Sequence, residues 1–133
     1  MSDAAAVIEA YYAAFNAGDK AAFLDLLTED VAHDINQGER EIGKAAFAGF
    51  WARMSRCYKE RIADIVVLTE PGGERAAAEF VVHGEYLVAD EGLPPAHGQK
   101  YVLPAGAFFT IRDGKVARIS NFYNLPDWLK QVS

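Results

Sequence analysis

Hydrophobic positions recur at helical spacing in the first part of the 133-residue chain and at strand spacing in the rest. From Asp3 to Asn16, the residues Val7, Ile8, Tyr11, Tyr12 and Phe15 repeat every three or four positions with alanines between them. That stripe predicts a helix with one buried face, and Gly18 suits its C-terminal cap. Asp19 caps a second short helix, Lys20–Leu27, whose apolar side is Phe23, Leu26 and Leu27. Val31–Ile35 reads as a short strand left through the turn Asn36-Gln37-Gly38-Glu39. A third helix spans Lys44 to Cys57, with Phe47, Trp51, Met54 and then Tyr58 on one side and Lys44, Arg53 and Arg56 on the wet side.

Beyond it the period shortens to two. Arg61–Glu70 is dense in β-branched residues, Pro71-Gly72-Gly73 turns the chain, and Glu74–Val88 follows as a long strand. One face of that strand is apolar throughout (Ala76, Ala78, Phe80, Val82, Gly84, Tyr86), so it should face the helices. Ala89–Lys100 is a loop with consecutive prolines, of a length often tied to function. Tyr101–Asn124 then folds back through Asp113-Gly114, a pair that tolerates the positive φ of a two-residue hairpin turn. The register that follows places Ile111 opposite Val116, Phe108 opposite Ile119, Gly106 opposite Asn121 and Pro104 opposite Tyr123. Pro126 begins a terminal turn carrying Trp128 and Leu129. Helices on one face of an antiparallel sheet define an α+β domain covering residues 1–133: a curved sheet wrapped around three N-terminal helices, leaving a cone.

Composition narrows the function classes. A chain of this length buries enough surface for one core, and it has no segment resembling a signal peptide or membrane span, which implies a cytoplasmic protein. A formal charge of −6 argues against nucleic acid and against acidic lipid surfaces. The single Cys57 rules out an intramolecular disulfide and a multi-cysteine zinc site, and its apolar neighbours point to a small buried hydrophobe. No phosphate loop, HExxH, GxSxG or EF-hand pattern is present, so no cofactor or metal is expected.

The order of elements, with YYAAFNAGD at Tyr11–Asp19, LLTEDVAHDIN at Leu26–Asn36 and the closing DGKV at Asp113–Val116, resembles the nuclear transport factor 2-like superfamily. Within it the chain is similar to SnoaL-like and ketosteroid-isomerase-related proteins. The resemblance implies a pocket, a homodimer through the outer sheet face, and an isomerase site built from a helix-one tyrosine and two carboxyl groups. The tyrosine matches Tyr11. Ile35 stands where the first-strand base would be, with Asp34 one place away on the opposite face, and Ala107 stands where the second oxygen-holding group would be.

His33 alternates with Val31 and Ile35 and so should enter the cone, either as a base near neutral pH or as a core histidine held by a backbone carbonyl. Asn121, among apolar neighbours, must bond either the framework or a ligand oxygen. The candidate catalytic set is therefore His33, Tyr11 and Asn121, with Asp34 included if a bulge turns it inward. Phe15, Trp51, Met54, Phe80, Tyr86, Phe108 and Tyr123 are the expected ligand-binding wall. His83, Glu79 and Glu85 share the outer face of their strand, and His97 in the proline loop is a candidate lid residue. The expected ligand is a small, mainly apolar carbonyl compound undergoing cofactor-free isomerisation or cyclisation; the alternative is a non-catalytic binding or dimerisation module. Phe109, Phe122, Val81 and Leu87 make the outer face too apolar for water alone, which is the residue-level reason to expect a homodimer.

Overall fold

The computed structural model describes residues 3–133. Helix α1 (Ala4–Ala17) starts where the Asp3 carboxylate accepts from the Ala5 amide at 3.0 Å. It stops at Gly18, whose φ of 68° lies in the left-handed region that glycine adopts without strain. Asp19 caps α2 (Lys20–Asp25). Strand β1 (Leu27–Asp34) starts several residues before the expected strand, and the three-residue β2 (Arg40–Ile42) follows the expected turn in a stretch for which the sequence predicts no element. Helix α3 (Lys44–Cys57) runs directly into β3 (Tyr58–Thr69), and then come β4 (Arg75–Tyr86), β5 (Gln99–Arg112) and β6 (Lys115–Tyr123). The terminal turn is a full helix, α4 (Leu125–Val132), capped by Asn124, with Pro126 in its first turn where a missing N–H costs nothing.

The six strands form one sheet in the order β2-β1-β6-β5-β4-β3, with β1 parallel to β6 and every other pair antiparallel. Helices cover one face, so this is the expected α+β cone, with a fourth helix added. The core lies between α1 and the sheet. Phe109 is fully buried there with its ring 5.5 Å from Tyr11 and 6.2 Å from Tyr12, and Phe23 packs 4.6 Å from Tyr11 and 4.5 Å from Trp51.

One bulge corrects the expected hairpin. Asp113 and Gly114 do turn at φ 54° and 73°, and Ile111 pairs with Val116, but the next partners are Thr110 and Arg118, leaving Ala117 as an extra residue in β6. An extra residue inverts the alternation beyond it. Asn121 therefore faces Ala107, and Tyr123 faces Ala105. Phe108 pairs with Ser120 on the opposite side of the sheet, half exposed, and is not part of the inner wall, whereas Phe109, expected on the outer face, is fully buried in the core.

Strand β6 ends opposite Ala105, so the start of β5 lacks a neighbour on that side. Helix α4 fills the gap: the Gln131 amide accepts from the Val102 N–H and donates to the Val102 carbonyl, both at 2.9 Å. Trp128 of the same helix is buried against Tyr86, Tyr101 and Tyr58, at ring distances of 5.0, 5.9 and 6.1 Å. The loop after β4 is tied down by Tyr86, whose hydroxyl accepts from the Asp90 amide and donates to the Pro94 carbonyl, and by the Tyr58 hydroxyl donating to Asp90. His97 is exposed beyond these ties.

Candidate functional site

Between α3, the inner face of the sheet and α4 lies an accessible cavity. Its helical wall is Phe15, Asn16, Phe50, Trp51 and Met54, and its sheet wall includes Phe80, Val82, Leu103, Ala105 and Tyr123. The continuous space of about 930 Å³ includes room beyond the sheet margin, reaching Lys59, Glu85 and Lys100 on the outer face. Ala105, Asn121 and Glu60 face the helices yet stay partly accessible, as expected of residues bordering a void. Asn16 braces the rim: its amide accepts from the Ile62 N–H at 2.8 Å and donates to the Ile62 carbonyl at 2.9 Å, tying α1 to β3.

Strand alternation delivers His33 inward, opposite Ile119 of β6. Its ring stacks on Phe47 at 4.3 Å, meets Phe50 edge-on at 4.6 Å and is 1% exposed. Burial lowers its pKa to about 4, opposed by the nearby Asp34 carboxylate, so at neutral pH the imidazole is uncharged. Asn121 Nδ2 lies 3.5 Å from His33 Nε2. The ring's other nitrogen, Nδ1, is buried and has no partner among the described residues. The second Nδ2 hydrogen of Asn121 remains available to an oxygen in the cavity.

Of the remaining sequence-level candidates, Phe15, Trp51, Met54, Phe80 and Tyr123 border the cavity. Tyr11 does not. It points into the core beneath Phe109 and Phe23, where burial raises its pKa well above the usual value. Its neighbour Tyr12 borders the space instead, with its hydroxyl buried and without a partner among the described residues. Adjacent residues on a helix point about 100° apart, so counting from the Gly18 turn leaves this choice open. Tyr86 is fully buried and its hydroxyl is spent on the loop, so it supports the wall from behind.

Asp34 is on the outer face. Arg40 Nε and Nη2 donate to its two oxygens at 2.6 and 3.0 Å and the Ser120 hydroxyl donates to Oδ2, which holds its pKa down at about 2. A carboxylate so paired is a poor base and cannot reach the cavity. Among the described residues no group of three or more His, Cys, Asp or Glu could hold a metal ion. No helix there is long and apolar enough to cross a membrane.

Sequence reasoning missed Glu60. Heading β3, it reads as a surface charge beside Lys59 and Arg61, but it lies on the inner face and borders the cavity. The Tyr101 hydroxyl is 2.5 Å from its Oε2. Burial raises its pKa, and the hydrogen bond from Tyr101 opposes the rise. The signal was Gly84: it pairs with Glu60 on one side and Tyr101 on the other, and a Cβ there would lie 2.2 Å from the tyrosine ring. Glycine in the middle of a long strand marks such a close approach.

A sheet bent around helices over an apolar cavity with few polar groups is the architecture of the nuclear transport factor 2-like superfamily. Within it, the SnoaL-like domain model matches residues 8–119, and the chain belongs to that family. A candidate polyketide cyclase from Pseudomonas putida KT2440 shares 65% identity over 100% of this chain and 99% of its own, with a TM-score of 0.98. A second, from Xanthomonas campestris pv. campestris, shares 57% over 98% and 97%, with a TM-score of 0.95. An NTF2-like protein of unknown function from Burkholderia pseudomallei K96243 has the same fold at 15% identity, covering 100% and 99%, with a TM-score of 0.84. No curated protein matches the chain.

Proposed function

We propose that the protein is a cytoplasmic SnoaL-like pocket enzyme that binds a small, mainly apolar carbonyl compound and catalyses its cofactor-free isomerisation or ring closure. The observation that carries this reading is the accessible apolar cavity with the Asn121 amide on its wall and the neutral His33 behind it. A hydrogen on a carbon next to a carbonyl becomes removable when the oxygen gaining charge is met by fixed donors in a dry site. Asn121 supplies a donor. His33, walled by Phe47 and Phe50, orients the amide rather than acting as the base first expected of it. Polyketides are chains of such carbonyls, and the relatives from Pseudomonas putida and Xanthomonas campestris, both above 50% identity, are candidate polyketide cyclases, which supports this substrate class.

Tryptophan fluorescence tests the binding step, since Trp51 and Trp128 both border the cavity. Titration with 2-tetralone, a bicyclic ketone, is expected to quench it, and Asn121→Leu is expected to weaken binding about tenfold, the worth of one hydrogen bond of roughly 1.4 kcal/mol. Equal affinity in the two proteins would remove Asn121 from the site. A second reading, a binder without chemistry, is favoured by Ile35 and Ala107 standing where isomerase carboxylates are expected; it requires binding with no acceleration of proton exchange.

We also propose a homodimer through the outer sheet face. Phe108 and Phe122 meet there edge-to-face at 5.7 Å while 52% and 55% exposed, with Val102 and Leu68 similarly open. Contiguous apolar surface of this kind marks an interaction face. Light scattering should give twice the chain mass, and the Phe108→Asp/Phe122→Asp double variant should give the single mass with unchanged circular dichroism. A parent of single-chain mass would overturn the dimer.

A further inference from the structure

Three strands contribute one row at the mouth of the cavity: Glu60 of β3, Gly84 of β4 and Tyr101 of β5. With no side chain in the middle position, Tyr101 lies across Gly84 and its hydroxyl meets the Glu60 carboxyl at 2.5 Å. This is the one hydrogen bond Glu60 receives from side chains among the described residues. Its other oxygen takes none, and the residue stays partly accessible on the cavity side. A surface glutamate has no use for a tyrosine laid over a glycine two strands away. The arrangement orients a carboxyl toward the void while keeping it among aromatic rings.

We propose that Glu60 is the catalytic base of the cavity, oriented by Tyr101, and that it removes a proton from carbon next to a carbonyl of the bound substrate. This rests on the proposed function and names the group that would carry its proton transfer. The Glu60 carboxylate takes the proton, the C–H electron pair becomes the C=C of an enolate, and the former carbonyl oxygen carries the negative charge. In a substrate with a second carbonyl, the enolate carbon attacks that carbonyl carbon and a C–C bond closes the ring. The new alkoxide takes back the proton from Glu60, so the product is an isomer of the substrate and no oxidant, reductant or water is consumed. The substrate class is thus a compound with at least two carbonyls spaced for a five- or six-membered ring.

Burial supports the assignment because it makes the carboxylate more basic than a free glutamate. The groups around it are Tyr58 on its own strand, Tyr101 on β5, Tyr123 on β6 and, beyond Tyr58, Asp90, which Arg53 of α3 approaches at 3.7 Å. No cation contacts Glu60 itself among the described residues, so nothing in the structure neutralises it as an ion pair.

The test is exchange of the acidic hydrogens of 2-tetralone in D₂O, followed by proton NMR, which reads proton removal without needing the natural substrate. The parent is expected to accelerate exchange, Glu60→Gln to lose at least a hundredfold of that acceleration while binding 2-tetralone within threefold, and Glu60→Asp to recover part of it. Tyr101→Phe, which removes the hydrogen bond favouring the ionised form, is expected to move the acid limb of the exchange profile to higher pH, with circular dichroism confirming the fold at each point. Exchange by Glu60→Gln at the parent rate would overturn the inference and leave the proposed function standing with another base. A parent that binds 2-tetralone without accelerating exchange would overturn the inference and establish the binder reading. A parent that does not bind it would remove the carbonyl pocket, and the inference with it.

Discussion

Trp128→Ala is expected to lower the free energy of unfolding by about 3–5 kcal/mol, the range for deleting a buried large aromatic side chain. The indole is 3% exposed and touches three tyrosine rings, of which Tyr58 and Tyr101 border the cavity. Its loss leaves α4, only eight residues long, with little to hold it, because a helix that short has no stability of its own. Gln131 then leaves Val102, and the unpaired end of β5 is exposed to solvent. Urea unfolding of parent and variant measures the difference. A loss under 1 kcal/mol would mean that α4 is peripheral to the fold.

Stability is expected to fall between pH 6.5 and pH 4 through His33. Its pKa is 6.5 in the unfolded chain and about 4 in the folded one, so in this window the unfolded state binds the extra proton and is favoured as pH drops. The contribution is complete above pH 6.5, declines through the window and is gone below about pH 4. A gap of this size corresponds to something on the order of 3 kcal/mol. Asp34 acts at lower pH, since its contribution is lost only from its unfolded value of 3.8 down toward about 2. Glu60 has the opposite sign, because its folded pKa is raised and acidification favours the folded state. Comparison with His33→Leu isolates the imidazole: the variant's stability should decline less from pH 7 to pH 4.5 than the parent's. Parallel curves would show that the ring is already protonated in the folded protein or solvated.

How much of this was legible in the sequence depended on the range of the interaction that decided it. The helix ends at Asp3, Gly18 and Asp19 are set by neighbours one to four residues away, and their residue types announce them. The inward direction of His33 needed only alternation from Val31. By contrast, the position of Phe108 was decided by one extra residue, Ala117, whose side chain gives no sign of a bulge; the same inversion put Asn121 opposite Ala107 instead of Gly106. The three residues of β2 are too few to show a period, and they form a strand because β1 offers them an edge. Tyr12 replaced Tyr11 at the cavity because the rotation of α1 is fixed by Phe109 and Phe80, which lie far along the chain. Glu60 stayed hidden because its environment comes from Gly84 and Tyr101: a glycine within a strand marks a close approach, but the residues that meet over it lie on two other strands and leave no pattern beside Glu60 itself.

The parallel seam between β1 and β6 joins Leu27 to Val116 and His33 to Ile119. During synthesis β1 therefore waits, with one strand edge unsatisfied, until β6 has been made more than eighty residues later. Closing so large a loop is an entropic hurdle that helices and hairpins do not face, so this seam should be among the late events of folding. A ribosome-stalled chain ending before residue 115 would lack the strand that shelters His33, and the guest space would come into being only once β6 and α4 are present.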